Sequence, residues 1–226
     1  MIHLSDYCVY IDRQISSEVC DNLINLFETQ SLKHERFEKT NAPRFTQFNF
    51  TKNQGDYGYL HEICCGYAAE AVRYYRLKVE DFKDWTPNQY GFEEFRIKRY
   101  IAEDKDQFGT HVECTNIDNA RRFLNMLWYL NDVEEGGTTE FTGFNLEVQP
   151  KAGSVVIFPP FWMFPHKGNL LKTGKKYLLH TYLHYLAPDH TIGNDPRLKK
   201  WNNEYRRINA QIIIRRTSWI SWTRGW

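Results

Sequence analysis

The apolar residues of this chain change period at Pro87, and few architectures accommodate both halves. Before it, Val19, Leu23, Ile24, Leu26 and Phe27 recur at helical spacing behind Ser17 and Glu18, and Glu18 and Asp21 suit the positive end of a helix dipole. A second helix is predicted over roughly 57–76, with Leu60, Ile63, Cys64, Tyr67, Ala71 and Tyr74 as its buried stripe. After Pro87 the period is two. In 92–100, Phe95 and Ile97 share one face while Arg96, Lys98 and Tyr100 share the other. Further strands are predicted at 123–131, 146–149, 154–158 and 176–185, with a turn at Glu134-Glu135-Gly136-Gly137. Short strands punctuated by Gly and Pro, in a chain with 16% aromatic residues, point to a sandwich or jelly roll.

With 226 residues the chain can fill one sizeable core but not two ordinary domains and a linker. A formal net charge of +1 gives no overall electrostatic case for nucleic acid. The charge is uneven, however: 187–226 is basic and carries Trp201, Trp219, Trp222 and Trp226. Aromatic-plus-basic composition can bind nucleic acid or a peptide, but a lid or a contact in a homo-oligomer is the favoured role, because isolated Trp residues bury well against a domain. The five cysteines are odd in number and form no C-x-x-C pair, so reduced thiols in a cytoplasmic protein are expected. The N-terminus does not read as a signal peptide, and no apolar run is long enough to predict a membrane span.

Chemistry concentrates after Tyr100. His111 and Glu113 are two residues apart, so on an extended strand they point to one face. His166 follows the apolar strand Val155-Val156-Ile157-Phe158, and Gly174-Lys175-Lys176-Tyr177 opens the next. Two His and one carboxylate on one face of a metal leave positions open, the arrangement of non-haem Fe(II) oxygenases. A lysine deep in the barrel can pair with the far carboxylate of a chelating oxoacid. Lys176 and Lys175 both remain candidates, since only one of two adjacent strand residues faces inward. If Lys176 does, so should Leu178, His180, Tyr182 and His184. If Tyr129 does, so should Asn125 and Leu127. His180 is then either a packed core histidine or a residue beside the metal ligands, and Arg96 and Lys98 could line the entrance. Cys114 falls on the face opposite Glu113.

Taken in order, His111-Val112-Glu113, Leu127-Trp128-Tyr129-Leu130-Asn131, Gly136-Gly137-Thr138-Thr139-Glu140-Phe141, Pro150-Lys151-Ala152-Gly153-Ser154, Phe158-Pro159, His166 and Gly174-Lys175-Lys176-Tyr177 resemble the 2-oxoglutarate/Fe(II) dioxygenase domain of the prolyl 4-hydroxylase-like family. The resemblance implies an α+β, mainly β fold: a double-stranded β-helix of the jelly-roll or cupin-like kind with N-terminal supporting helices. It places the dioxygenase domain at 1–186, with helical support at 1–90 and the β-helix core at 91–186, and leaves 187–226 as an extension packed on it. It implies Fe(II) at His111, Glu113 and His166 and 2-oxoglutarate as co-substrate at Lys176, aided by Tyr129. Tyr100 resembles another pocket tyrosine, Asn125 and His180 line the same pocket, and ascorbate is a candidate further cofactor. The implied reaction hydroxylates a C–H bond and releases succinate and CO2.

A prolyl residue in a protein or peptide is the substrate the family favours, and a free amino acid or other small molecule stays open. Loops at 31–43 and 161–165 would decide it. The reading from another class is a catalytically silent barrel that binds a partner through its Trp/Arg tail. One departure stands out: the family usually has His-x-Asp, and this chain has Glu113. The retained carboxylate argues against the halogenating branch, where a small residue leaves room for chloride.

Overall fold

The computed structural model describes residues 3–39, 43–53 and 55–186; the basic extension at 187–226, with His190, lies outside the described residues. Among the described residues, twelve strands form two sheets. In chain order they are β1 (Val9–Ile11), β2 (Glu35–Glu38), β3 (Arg44–Asn49), β4 (Tyr90–Phe92), β5 (Arg96–Ile101), β6 (Phe108–His111), β7 (Arg122–Tyr129), β8 (Thr139–Phe141), β9 (Leu146–Val148), β10 (Val155–Phe158), β11 (His166–Gly168) and β12 (Lys175–Tyr185). The larger sheet runs β1-β10-β7-β12-β5-β3-β2, with β4 also paired to β12; the smaller runs β6-β11-β8-β9. All the pairings are antiparallel, and the fold is a double-stranded β-helix.

Three helices cover the outer face of the larger sheet: α1 (Ser17–Thr29), α2 (Gly58–Lys78) and the short α3 (Glu80–Trp85). The Ser16 hydroxyl starts α1 by accepting the Val19 N–H at 3.3 Å, satisfying one of the free donors of the first turn. One core lies between helices and sheet and includes Phe27, Leu60, Tyr75, Ile97, Trp128 and Leu179. A second fills the space between the sheets, with Phe45, Tyr100, Leu127, Tyr129, Phe158 and Leu178. The alternation of β12 divides these cores: Tyr177, Leu179 and Leu183 belong to the helix side, and Leu178 faces the barrel. α1 is tied down by polar contacts as well, because Glu28 accepts hydrogen bonds from Tyr177 (2.5 Å) and Arg99 (2.8 Å).

Residues 1–90 are not purely helical support. They contribute β1, β2 and β3, which extend both edges of the larger sheet, and 31–43 holds a strand where a loop is expected. The reason is visible in β3. Phe45 faces the barrel and Phe48 the helices, so a strand buried on both faces shows no apolar alternation. The stripe of α2 is also rotated from expectation. Ile63 and Tyr74 are exposed, and His61, Cys65, Ala68, Val72 and Tyr75 take the buried face with Leu60, Cys64 and Ala71. The Tyr75 hydroxyl has a partner there, donating to the Tyr7 carbonyl at 2.8 Å, which lets so large a polar residue be buried. All five cysteines are free thiols.

Gly153 joins the N-terminal segment to the sheet. Its carbonyl accepts the Ile15 N–H at 3.0 Å, its φ is +80°, and a Cβ there would lie 2.3 Å from the Ile15 carbonyl oxygen. Left-handed backbone and a backbone clash both oppose a side chain. Gly153→Ala is therefore expected to destabilise the fold by about 2–3 kcal/mol in urea unfolding, and an unchanged midpoint would contradict this close approach.

Candidate active site

Antiparallel pairing of β6 with β11 sets His111 directly across from His166. Their ring centroids are 4.3 Å apart. Glu113 lies just past the end of β6, where its N–H and that of Cys114 both donate to the Pro160 carbonyl at 3.1 Å. The bend still turns its carboxylate inward, and Oε1 is 3.4 Å from Nε2 of both histidines. The three ligand atoms lie within 4.8 Å of one another.

The far side of each imidazole fixes its tautomer. Nδ1–H of His111 donates to the Gly109 carbonyl at 2.8 Å, and Nδ1–H of His166 to the Phe164 carbonyl at 3.0 Å. Both Nε2 atoms thereby face Glu113, where a proton or a metal can sit. Burial opposes ionisation of Glu113, but the hydrogen bonds and charge of His111 and His166 outweigh it and hold the carboxyl well below the usual range. Two imidazole nitrogens and an ionised carboxylate form a donor set suited to Fe(II).

The carboxylate is held from behind. The Tyr182 hydroxyl donates to Oε2, and the Asn125 amide to Oε1 at 3.3 Å. Asn125 Oδ1 in turn accepts from His180 Nε2–H at 2.8 Å. Burial above all, then the charge of Lys98, keeps His180 neutral. Arg122 completes the shell: its guanidinium stacks over the Tyr182 ring at 3.9 Å and donates to the Glu113 carbonyl at 3.2 Å.

Lys176 sits deeper in the barrel, only 3% exposed, whereas Lys175 points to solvent. Its ammonium lies over the rings of Tyr100 (5.3 Å) and Tyr129 (6.0 Å) and donates to the Gly137 carbonyl. Tyr129 is oriented by a 2.8 Å hydrogen bond to Thr139. No carboxylate pairs with Lys176 among the described residues, and burial pushes it down to about 7. A separate cavity of about 530 Å³, lined by residues that include His61, Cys65, Phe95, Glu93, Arg121 and His184, contains neither the metal ligands nor Lys176.

Residues 95–184 match the sequence model of the 2OG-Fe(II) oxygenase superfamily. The chain carries a 2OG-Fe(II) oxygenase domain. Solved structures agree on its fold. The viral collagen prolyl hydroxylase of Paramecium bursaria Chlorella virus-1 aligns over 80% of this chain and 97% of its own, at 19% identity and a TM-score of 0.57. A Pseudomonas putida prolyl-4-hydroxylase aligns over 80% and 94%, at 16% and 0.58. A Trichoplax adhaerens prolyl hydroxylase, solved with a hypoxia inducible factor peptide fragment, aligns over 80% and 84%, at 13% and 0.60. No curated protein matches in sequence.

His111, Glu113, His166, Lys176, Tyr100, Tyr129, Asn125 and His180 all meet around this pocket of the oxygenase, but not all in the same capacity. Asn125 and His180 stand behind Glu113 in a hydrogen-bonded line instead of facing an oxoacid. Gly136-Gly137 is more than a turn, since the Gly137 carbonyl receives Lys176. Cys114 stays out of the ligand cluster, its thiol donating to the Asn119 carbonyl at 3.2 Å. Thr139 and Arg122 gave no signal of their own. Tyr182 was legible as an inward residue of β12, but Arg122 was not. A register shift near the start of β7 brings it opposite His184 and breaks the alternation that reaches Asn125.

The longer side chain of Glu113 is matched to this surround, because Asn125 and Tyr182 meet its oxygens where they now lie. In the oxygenase, Glu113→Asp should draw the carboxylate away from both partners and lower Mn(II) affinity about tenfold or more, although it restores the common motif. Glu113→Ala should lose more. Equal Mn(II) titrations for wild type and both variants would remove Glu113 from the ligand set.

Proposed function

We propose that the oxygenase domain is a hydroxylase in which His111, Glu113 and His166 hold Fe(II) and Lys176 binds the far carboxylate of 2-oxoglutarate. The observation that carries this is Lys176 itself. A buried ammonium without a counter-charge costs several kcal/mol, and here it shares a pocket with three converging metal ligands. A dianionic oxoacid spanning from metal to lysine satisfies both. The metal, when bound, would activate O2 for insertion of one oxygen atom into a C–H bond while 2-oxoglutarate is oxidised to succinate and CO2.

The chain's own residues position the reactants. Nδ1 bonds to Gly109 and Phe164 keep both imidazoles turned toward the metal. Tyr182 and Asn125 fix the carboxylate, and Tyr182 stays protonated because burial and the neighbouring Glu113 push its hydroxyl well up. Tyr100 and Tyr129 wall the lysine with ring faces, keeping water from the anion-binding end. We take a prolyl residue in a protein or peptide as the substrate. The support is the shared architecture with prolyl hydroxylases, one of them solved with a peptide.

Lys176→Ala should weaken 2-oxoglutarate binding to the Mn(II) protein about 10²–10³-fold, the loss of one partner of a buried charge pair; Lys175→Ala should leave it unchanged. The pH dependence has a definite sign. With the free lysine near 7, the oxoacid binds the protonated form, so above pH 7 binding must take up a proton. The dissociation constant should rise about tenfold per pH unit from 7 to 9. Calorimetry in buffers of different ionisation enthalpy would read that proton. A larger loss for Lys175→Ala, or a flat pH profile, would contradict the assignment.

A further inference from the structure

Three cations on the barrel side of the sheet face the metal end, and their partners differ. Arg96 is ion-paired to Glu94, and Arg122 is held by both oxygens of Glu93 at 2.8 and 2.9 Å. Among the described residues, Lys98 has no hydrogen bond or ion pair. Its ammonium rests over the rings of Phe45 (5.1 Å) and Phe108 (5.8 Å), and Phe108 is stacked on the metal ligand His111 with centroids 3.9 Å apart. Glu113 is near enough to stabilise the charge, but its oxygens are already engaged by Asn125, Tyr182 and the two histidines.

Lys98 and Tyr100 alternate along β5 on the face that carries Lys176 across the pairing. Among the described residues, the pocket therefore holds two ammoniums without a paired acid, one at its deep end and one beside the metal. Ring faces within about 6 Å favour a cation but supply no hydrogen-bond acceptor for its three N–H groups. Once a bound molecule excludes water, those donors need an anion.

We propose that Lys98 binds a carboxylate at the metal end of the pocket, supplied either by the metal-end carboxylate of 2-oxoglutarate or by the primary substrate. In the second case the substrate class is narrowed to molecules with a carboxylate close to the oxidised carbon, such as an acidic peptide or a free amino acid. The assignment rests on the metal and oxoacid reading above.

The test uses the full chain loaded with Mn(II) and the variants Lys98→Met, which keeps the packing on Phe45 and Phe108, and Lys98→Gln. Unchanged Mn(II) affinity in both verifies the fold of the site. 2-Oxoglutarate is titrated first; carbon-13 acetate is then added to the 2-oxoglutarate-saturated protein, and Mn(II)-induced relaxation of its carboxyl carbon is read. A rise of tenfold or more in the dissociation constant for 2-oxoglutarate in both variants places the oxoacid on Lys98. Unchanged oxoacid binding, with acetate relaxation present in wild type and lost in both variants, places the substrate's carboxylate there. If both measurements match wild type, Lys98 is a packing residue and the proposal is overturned. A wild-type chain that binds no Mn(II), or whose 2-oxoglutarate affinity ignores Lys176→Ala, would overturn the underlying reading and this assignment with it.

Discussion

The site depends on one strand pairing. β6 and β11 run antiparallel with His111 opposite His166, and this alone brings together two ligands that the chain separates by the whole of β7 to β10. Slipping that register by one residue would turn one imidazole out of the barrel. The pairing is protected on both sides. β8 pairs with the other edge of β11, and Phe141 and Phe158 pack against the His166 ring. Rigidity at a metal site comes here from aromatic packing and backbone acceptors, which is where precise placement of ligands is best secured.

The same logic explains why the larger sheet is buried on both faces. Its barrel face must present Lys176, His180, Tyr182, Asn125 and Tyr129, and a sheet exposed to water behind them could not hold such a polar interior in one arrangement. The helices supply the apolar cover. Phe27 and Tyr75 seal the outer face, while Glu28 anchors Tyr177, the residue next to Lys176. Packing on the helix side thus sets which way the lysine points.

Much of this was legible in the sequence because strand period and ligand spacing are local signals. Alternation along β12 grouped Lys176, Leu178, His180, Tyr182 and His184; the first four share the barrel face, while His184 follows the register shift after Leu183 and packs against Gly91 of β4. The same reasoning grouped Asn125, Leu127 and Tyr129. What stayed hidden was non-local. β3 lacks alternation because both its faces are buried. α2 buries Tyr75 in place of Tyr74 because the hydroxyl finds the Tyr7 carbonyl, an acceptor 68 residues away. Arg122 reaches Glu113 only through a register shift, and the partners that fit a glutamate where an aspartate is usual come from β7 and β12. Ion pairing told the cations apart: Arg96 and Lys98 share a face in the sequence, but only the structure shows that among the described residues one has an acid and the other does not.

In the proposed hydroxylase, one metal and one oxoacid occupy a single pocket strung between the His-Glu-His cluster and Lys176. A crystal structure of the Mn(II)- and 2-oxoglutarate-loaded chain, with the metal located by its anomalous scattering, tests it most directly. One manganese ligated by His111 Nε2, His166 Nε2 and Glu113 is expected, with the far carboxylate of the oxoacid on the Lys176 ammonium. Manganese elsewhere, or an oxoacid that leaves Lys176 without a partner, would contradict it.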